Sequence, residues 1–347
     1  MTTLLWAEPD LGTVSGGLRY NQQLRRALED AGARAPVLSL PGDWNDPLSA
    51  VGHSLADQLD AAAEEHDADA VVVDGLIGSA CPDLFVPGPS PRRRVPRILL
   101  VHLSAAVAQE QQGIADPEAV RRERLAVHEA GHVVTVSRWS AAELRRRYRR
   151  QQVRVALPGV GDIPEGVFTA DRAAPRLSCV SAFLPVKNHR LLGQALEPLL
   201  DWDWELTLAG PHSGSDYGQE VIGELRRRLP GRVDLRGTLT PQEVGMLWSE
   251  TDLLLLPSTA ETYGMVVTEA CAYGVPSFVS AGTGAEEAAG GAGAALNPQR
   301  PEEWTQALRQ WLSGGQTRDR LRRAAVHRRE HLPRWEDAAE VFRQLIG

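Results

Sequence analysis

The segment HEAGH, residues 128–132, has the residue types and spacing of a zinc-binding helix. In the HExxH pattern, two histidines four residues apart share one helical face and hold the metal, while the glutamate acts as a general base. The preceding residues predict a helix with Asp116 as N-cap, Pro117 in its first turn and Gly131 as C-cap. The β-branched run that follows predicts a strand beginning at His132. His128 and His132 then belong to different elements, so no metal site is predicted.

A second group of chemically competent residues lies between positions 253 and 287. Glu261 and Glu269 are separated by seven residues. Glu261 lies in the loop after a predicted strand that ends at Pro257 and Ser258, and Glu269 lies in a predicted helix that begins near Gly264. The free N–H groups and positive dipole end of a helix N-terminus suit a diphosphate. Carboxylates suit the vicinal hydroxyls of a sugar or ribose. The pattern predicts a site for a phosphorylated sugar derivative.

Lys187 is the only lysine among 37 basic residues, all the others being arginine. A compact ammonium group on a flexible stem approaches a phosphate where a planar guanidinium is too wide. The single exception to the arginine usage therefore marks Lys187 as a candidate phosphate ligand.

The elements that must position these residues alternate between short apolar runs and longer amphipathic stretches, which indicates parallel α/β sheets. Strands are predicted near 4–7, 35–40, 69–75, 97–103 and 132–137, and again near 176–183, 204–210, 232–237, 252–258 and 276–282. The Gly- and Pro-rich stretch 157–176 separates the two series. We predict an α/β fold of two Rossmann-like domains whose parallel sheets face each other across a cleft. The Ala/Gly-rich stretch 281–295 is predicted to be a mobile loop.

Composition excludes several classes of protein. A length of 347 residues suits two domains, and a net charge of −8 with a pI near 5.7 argues against nucleic acid as a partner. Cys81, Cys179 and Cys271 lie in apolar settings without CxxC spacing, which predicts buried thiols in a reducing compartment. Neither a signal peptide nor a membrane-spanning segment is predicted, so we expect a cytoplasmic protein.

The stretch PSTAETYGMVVTEACAYGVP, residues 257–276, resembles the E-x7-E region of retaining glycosyltransferase family 4, whose members have the GT-B fold. The resemblance implies that Glu261 contacts the donor sugar and that Glu269 contacts the nucleotide ribose. It also implies donor binding by the intervening residues Thr262, Tyr263, Gly264 and Met265.

Four further stretches extend the resemblance over most of the chain. In LSCVSAFLPVKNHRLL, residues 177–192, Lys187 fits a family lysine that faces the diphosphate, whereas Ala182 and Ser181 replace the usual Arg and Gly. GTVSGGLRYN, residues 12–21, resembles the N-terminal glycine-rich loop, which implies substrate contacts at Gly16 and Gly17. It is not the GxGxxG fingerprint of dinucleotide enzymes.

LLVHLSAA, residues 99–106, places His102 at a strand end, where the family has a histidine near the donor sugar. The region 135–160 also resembles the family, and its arginine cluster 145–150 is interpreted as a solvated helix face, with docking of an anionic acceptor or a membrane as the alternative.

The resemblance implies a hexosyltransferase with Glu261, His102 and Lys187 as catalytic residues. It would transfer a sugar from a nucleotide-diphosphate donor, with retention and without a metal or cofactor, to a small-molecule or lipid acceptor. The expected ranges are 1–165 for the acceptor-side domain, 166–330 for the donor domain and 331–347 for a terminal helix that packs back on the first. Alternatives are a nucleotide-sugar epimerase or phosphorylase, a catalytically weak sugar-nucleotide-binding protein and a zinc hydrolase.

Overall fold

The computed structural model describes residues 1–12, 15–42, 44, 52–86, 95–113, 116–161, 174–211 and 216–346. The chain divides into two compact units. Unit 1 comprises Met1–Gly159 together with Pro333–Gly347, and unit 2 comprises Val160–Leu332. Unit 1 is therefore built from two separate segments of the chain, whereas unit 2 is continuous.

Unit 1 contains a six-stranded parallel sheet in the order β2-β1-β3-β4-β5-β6. Its strands are β1 Leu4–Pro9, β2 Val37–Leu40, β3 Ala70–Asp74, β4 Arg97–Val101, β5 His132–Thr135 and β6 Arg154–Val155. The helices between them are α1 Gly16–Asp30, α2 Gly52–Glu65, α3 Gly75–Ala80, α4 Ala105–Gln112, α5 Pro117–Glu129 and α6 Arg138–Tyr148. Strands β3 and β4 are buried along their whole length, as expected for a sheet covered by helices on both faces.

Unit 2 repeats this architecture in the order β12-β11-β10-β7-β8-β9. Its strands are β7 Arg176–Val180, β8 Glu205–Ala209, β9 Val233–Gly237, β10 Leu253–Leu256, β11 Ser277–Ser280 and β12 Gly293–Leu296. Its helices are α7 His189–Leu196, α8 Asp216–Arg228, α9 Pro241–Glu250, α10 Met265–Ala272, α11 Ala285–Ala289, α12 Pro301–Leu312 and α13 Gln316–Arg329. The predicted fold class, two Rossmann-like α/β domains with parallel sheets, is confirmed.

The last helix, α14 Trp335–Arg343, belongs to unit 1 and packs on α1 and β6. Its Phe342 ring lies 5.7 Å from the Trp6 ring of β1, and its Trp335 ring lies 5.3 Å from the Tyr20 ring of α1. A side chain at Gly159 would come within 2.2 Å of the Trp335 backbone nitrogen, so close packing requires glycine there. The amphipathic segment thus completes the core of unit 1.

The structure predicted for one segment is wrong. The stretch 281–295, expected to be a mobile loop, contains α11 and most of β12, because its small residues pack closely and do not merely loosen the chain. A side chain at Gly293 would lie 1.6 Å from the Ser277 carbonyl oxygen of β11.

The three cysteines are buried, as predicted. None of the helices in the described part of the chain is long and apolar enough to cross a membrane.

Candidate functional site

The HEAGH segment is the end of a helix and the beginning of a strand. Helix α5 ends at Glu129 and β5 begins at His132, as predicted. The predicted cap at Gly131 is wrong by one residue: Ala130 is the C-cap in an extended conformation, and Gly131 does not adopt a positive φ. Arg150 supplies the capping charge, because its guanidinium donates to the carbonyl oxygens of His128, Ala130 and Gly131 at 3.2, 3.0 and 3.2 Å.

Other arginines of the 145–150 cluster also have protein partners. Arg145 donates to the carbonyl oxygens of Gln151 and Val153, and Arg146 and Arg147 form ion pairs with Glu143. These local bonds favour the interpretation as a solvated helix face over an anion-docking surface.

Two features relevant to metals were missed in the sequence. The described residues bring the potential ligands His327, Glu330 and His331 together, all of them exposed and separate from HEAGH. The triplets Asp67–Asp69 and Asp201–Asp203 have Asp-x-Asp spacing but lie just before the amino ends of β3 and β8. Ligands in α/β sheets bind beyond the carboxyl ends of strands, so both triplets lie at the wrong edge to hold a donor diphosphate.

In unit 2, Lys187 and Glu261 form an ion pair with Nζ 2.7 Å from Oε2. Lys187 ends a short 3-10 turn after β7, and Glu261 follows β10, the strand next to β7 in the sheet. The backbone nitrogen of Thr259 donates to the Val186 carbonyl oxygen at 2.8 Å and ties the two loops together. Residues 74 positions apart are thereby held at the carboxyl edge of the sheet.

The glycine at position 264 shapes the loop around Glu261. Gly264 has φ +86° and precedes α10, where it offers no side chain to cap the helix amides. A side chain at this position would lie 3.2 Å from Glu261 Cγ. Gly284, which sequence analysis did not select, supports the same loop: its nitrogen donates to the Glu261 carbonyl oxygen at 2.7 Å, and a side chain there would lie 2.0 Å from Thr262 O. The Gly-rich segment after β11 was the sequence feature from which this support for the Glu261 loop could have been predicted.

The other predicted donor-binding residues differ in exposure. Met265 and Glu269 are half-buried and lie four residues apart on one face of α10. The Tyr263 ring is only 2% exposed. Position 263 can therefore meet a ligand through its backbone, not through its ring.

Ser181 and Ala182, the two departures from the family pattern, lie beside a buried histidine. Ser181 Oγ is 3.1 Å from His189 Nε2, and the His189 ring stacks on Phe183 with centroids 4.3 Å apart. Burial, with a contribution from the Lys187 charge, lowers the pKa of His189 to about 4. His189 is thus neutral near pH 7 and packs as part of the core.

In unit 1, His102 lies at the carboxyl edge of the sheet among polar residues. Its Nε2 is 2.9 Å from Asn21 Oδ1 and 3.6 Å from Asp74 Oδ2. Burial lowers the pKa of His102, although the Asp74 carboxylate opposes the shift. A neutral imidazole that donates from Nε2 to the Asn21 oxygen leaves Nδ1 as an acceptor for a substrate hydroxyl.

Helix α1 fixes the position of the imidazole. A side chain at Gly17 would lie 3.1 Å from His102 Cδ2, whereas no described atom lies within 4 Å of a side chain at Gly16. The Tyr20 ring meets His102 edge-on at 5.2 Å, and its hydroxyl donates to the Ala156 carbonyl oxygen at 2.8 Å. Gly17 therefore permits close packing, and Gly16 remains open.

The acidic residues at this edge of the sheet were not predicted from the sequence. Glu8 lies at the end of β1 and Asp74 at the end of β3, and Glu8 forms an ion pair with Arg25 of α1. A carboxylate at the end of an otherwise apolar strand, as in LLWAEP and AVVVDG, was the signal that could have revealed them.

The arrangement of two parallel α/β sheets, with ligand-competent groups at the carboxyl edge of each, defines the class of GT-B folds. The structure of the chain aligns over 99% of its own length and 99% of that of a sucrose-phosphate synthase from Thermosynechococcus elongatus, at a TM-score of 0.82 and 20% identity. It aligns over 100% of this chain and 99% of the other with Anabaena HepE in complex with UDP-glucose, at a TM-score of 0.76 and 17% identity. These similarities establish the fold.

Residues 169–328, which lie within unit 2, match the family model described as Glycosyl transferases group 1. A D-inositol 3-phosphate glycosyltransferase from Nocardia farcinica is 27% identical over 275 residues, which are 72% of this chain and 60% of that protein. The corresponding protein from Corynebacterium diphtheriae is 31% identical over 163 residues, 46% of this chain and 38% of that protein. The chain thus spans less than two thirds of these curated relatives.

Proposed function

We propose that this protein is a glycosyltransferase that moves a sugar from a nucleotide-diphosphate-sugar donor to an acceptor with retention of configuration. The observation that carries the proposal is the Lys187–Glu261 pair at the carboxyl edge of the second sheet, within the region that matches the family. The UDP-glucose in the HepE structure and the names of the curated relatives support this class of donor.

In the proposed reaction, the leaving diphosphate gains negative charge as the glycosidic bond breaks. The ammonium group of Lys187 and the backbone amides at the start of α10 stabilise that charge. Glu261 accepts hydrogen bonds from hydroxyls of the donor sugar, and Glu269 accepts them from the ribose. In unit 1, the neutral His102 accepts a hydrogen bond at Nδ1 and orients a sugar hydroxyl.

The test begins with the donor. Sugars linked to UDP, GDP, ADP or TDP are screened by thermal shift, since a ligand of the native state raises its melting temperature by mass action. Lys187→Met should abolish both the shift and transfer, whereas Arg309→Met, which removes an exposed charge from α12, should preserve them. Unchanged turnover in Lys187→Met would refute the site.

A second candidate, a protein that binds the nucleotide sugar without transferring it, is favoured by one observation. Ala182 stands where the family has an arginine, which leaves Lys187 as the cation of this motif, and Lys187 is paired with Glu261. Donor binding without product over a broad panel of acceptors would select this candidate. Product formation would eliminate it.

A further inference from the structure

A groove lies at the carboxyl edge of the unit 1 sheet, beside the start of α1. Its volume is about 370 Å³, within the range of small-molecule sites. Its polar walls come from Glu8, Asp10, Gln22, Arg25 and Ser39, and Leu18 adds an apolar surface. The groove is large enough for a single polyhydroxyl ring.

The charge in and behind this groove is negative. Arg25 Nε lies 3.4 Å from Glu8 Oε1, and Asp10 lines the same groove, so the walls carry two carboxylates and one guanidinium. Burial raises the pKa of Glu8, the Arg25 charge opposes the shift and the nearby Asp74 carboxylate adds to it. A bound cation would relieve this excess of negative charge, and a bound anion would increase it.

Three buried polar atoms beside the groove, Glu8 Oε1, Asn21 Nδ2 and Arg25 Nε, make no well-formed hydrogen bond within the described ranges. Glu8 Oε1 and Arg25 Nε are ion-paired with each other, and the Asn21 amide also interacts with the Glu8 carboxylate. Glu8 is 7% exposed and Asn21 is fully buried. A buried polar group costs about 1–3 kcal/mol when it is left wholly unpaired, so a ligand group that donates a well-formed hydrogen bond to Glu8 is favoured.

Protein oxygens already accept hydrogen bonds from backbone amides at three helix starts on this edge. Ser15 Oγ accepts from the Leu18 nitrogen in α1 at 3.2 Å, and Asp74 Oδ1 accepts from the Leu76 nitrogen in α3 at 2.9 Å. The buried Glu123 carboxylate accepts from the Ala105 nitrogen at the start of α4 at 2.9 Å. Two of these three helix starts thus already carry a carboxylate, which disfavours a phosphate there.

We propose that the groove of unit 1 binds the acceptor, and that this acceptor is a polyhydroxyl ring carrying an amino group and no phosphate, with the amine paired to Glu8. The inference rests on the proposed function, because it assigns the acceptor of that reaction. The curated relatives are named for an acceptor that carries a phosphate, which the acidic edge described here would repel.

The test compares three compounds with the same ring: an inositol, an inosamine in which one hydroxyl is replaced by an amine, and an inositol monophosphate. Binding to the full chain is measured by titration calorimetry near pH 7 without donor. We expect the inosamine to bind at least about tenfold more tightly than the inositol, a difference of about 1.4 kcal/mol, and the monophosphate to bind most weakly. Tighter binding of the monophosphate than of the inosamine would overturn the proposal.

Two variants locate the amine. Glu8→Gln should reduce the advantage of the inosamine over the inositol to about twofold or less, and the exposed Asp10→Asn should reduce it in the same direction without disturbing the core. Glu29→Gln, an equal charge change on an exposed position of α1, should leave the advantage intact. An amine preference that survives both Glu8→Gln and Asp10→Asn would refute the assignment.

Because these titrations contain no donor, they separate the two proposals. Loss of donor binding and transfer would refute the proposed function at Lys187 and Glu261. Transfer that proceeds while the acceptor preferences fail would refute only the acceptor assignment.

Discussion

Gly16 and Gly17 are adjacent at the start of α1 but have different surroundings. Because a side chain at Gly17 meets the His102 ring at 3.1 Å and one at Gly16 meets no described atom, Gly17→Ala should displace the imidazole. We expect Gly17→Ala to lower the transfer rate about tenfold or more, which corresponds to about 1.4 kcal/mol, and Gly16→Ala to stay near the wild type. Steady-state rates measured beside circular dichroism would check this, and equal rates in the two variants would contradict it.

The Lys187–Glu261 pair leads to an unusual expectation for Glu261→Gln. The substitution removes the carboxylate that competes with phosphate for the ammonium group at 2.7 Å, so the affinity for a nucleoside diphosphate should rise. Transfer should fall, because the amide is a weaker acceptor for the sugar hydroxyls. Calorimetry with UDP or another diphosphate and turnover assays provide the two readouts, with the exposed Glu302→Gln as control. A parallel loss of diphosphate affinity and turnover would contradict this role.

Gly264 combines a left-handed backbone with proximity to Glu261. Gly264→Ala should cost about 1–2 kcal/mol of stability from the backbone strain alone and should also reduce transfer by displacing Glu261. Gly231→Ala is a matched control, since Gly231 has φ +72° and no described atom within 4 Å of a side chain. Similar stability losses with activity lost only in Gly264→Ala are expected from denaturation and rate measurements.

At the scale of elements, the junction of β7 and α7 makes stability depend on pH. His189 has a folded pKa of about 4 against an ordinary value of 6.5, so the unfolded chain binds more protons between these values. Stability should therefore fall as the pH falls from about 6.5 to 4, by about 3 kcal/mol in all from this residue.

Denaturant unfolding of unit 2, followed across this range of pH, would test the expectation. His189→Gln should lower by about one the number of protons taken up on unfolding in this pH range, which is read from the slope of the unfolding free energy against pH. The control His327→Gln, at an exposed position, should leave the loss of stability at acid pH unchanged. An unchanged slope in His189→Gln would show that the histidine is not the titrating group.

Elements with strong local signals could be predicted from the sequence. Asp116 and Pro117 mark the start of α5 because capping involves neighbouring residues, and the side chain of Asp116 does accept from the nitrogens of Glu118 and Ala119 at 3.0 Å. Strand β12 was missed because its small residues lack the pattern of a strand. It is held by its parallel register with β11.

The two candidate sites could be predicted from the sequence to different extents. Lys187 and Glu261 stand out by residue type and resemblance, but their direct contact requires the strand order that makes β7 and β10 neighbours. Asn21, Asp74 and His102 are distant in the sequence and converge only when β3 lies beside β4 and α1 crosses their ends. Local periodicity carries no information about such convergence.

At the scale of the whole molecule, α14 is a structural part of unit 1. Phe342 is fully buried against Trp6, so Phe342→Ala should destabilise unit 1 by about 3–5 kcal/mol. The exposed Arg343→Ala on the same helix should have little effect. Hydrogen exchange would localise the loss to unit 1 and leave the strands of unit 2 protected, whereas loss of protection confined to unit 2 would contradict this assignment.

The split composition of unit 1 has a consequence for synthesis in the cell. All of Val160–Leu332 must leave the ribosome after Gly159 before the segment containing α14 can follow. At about 5–20 residues per second, this takes roughly 9 to 35 seconds. During that interval the Trp6 and Tyr20 surfaces of the nascent chain lack their partners Phe342 and Trp335, which makes this a window in which a chaperone would find apolar surface to bind.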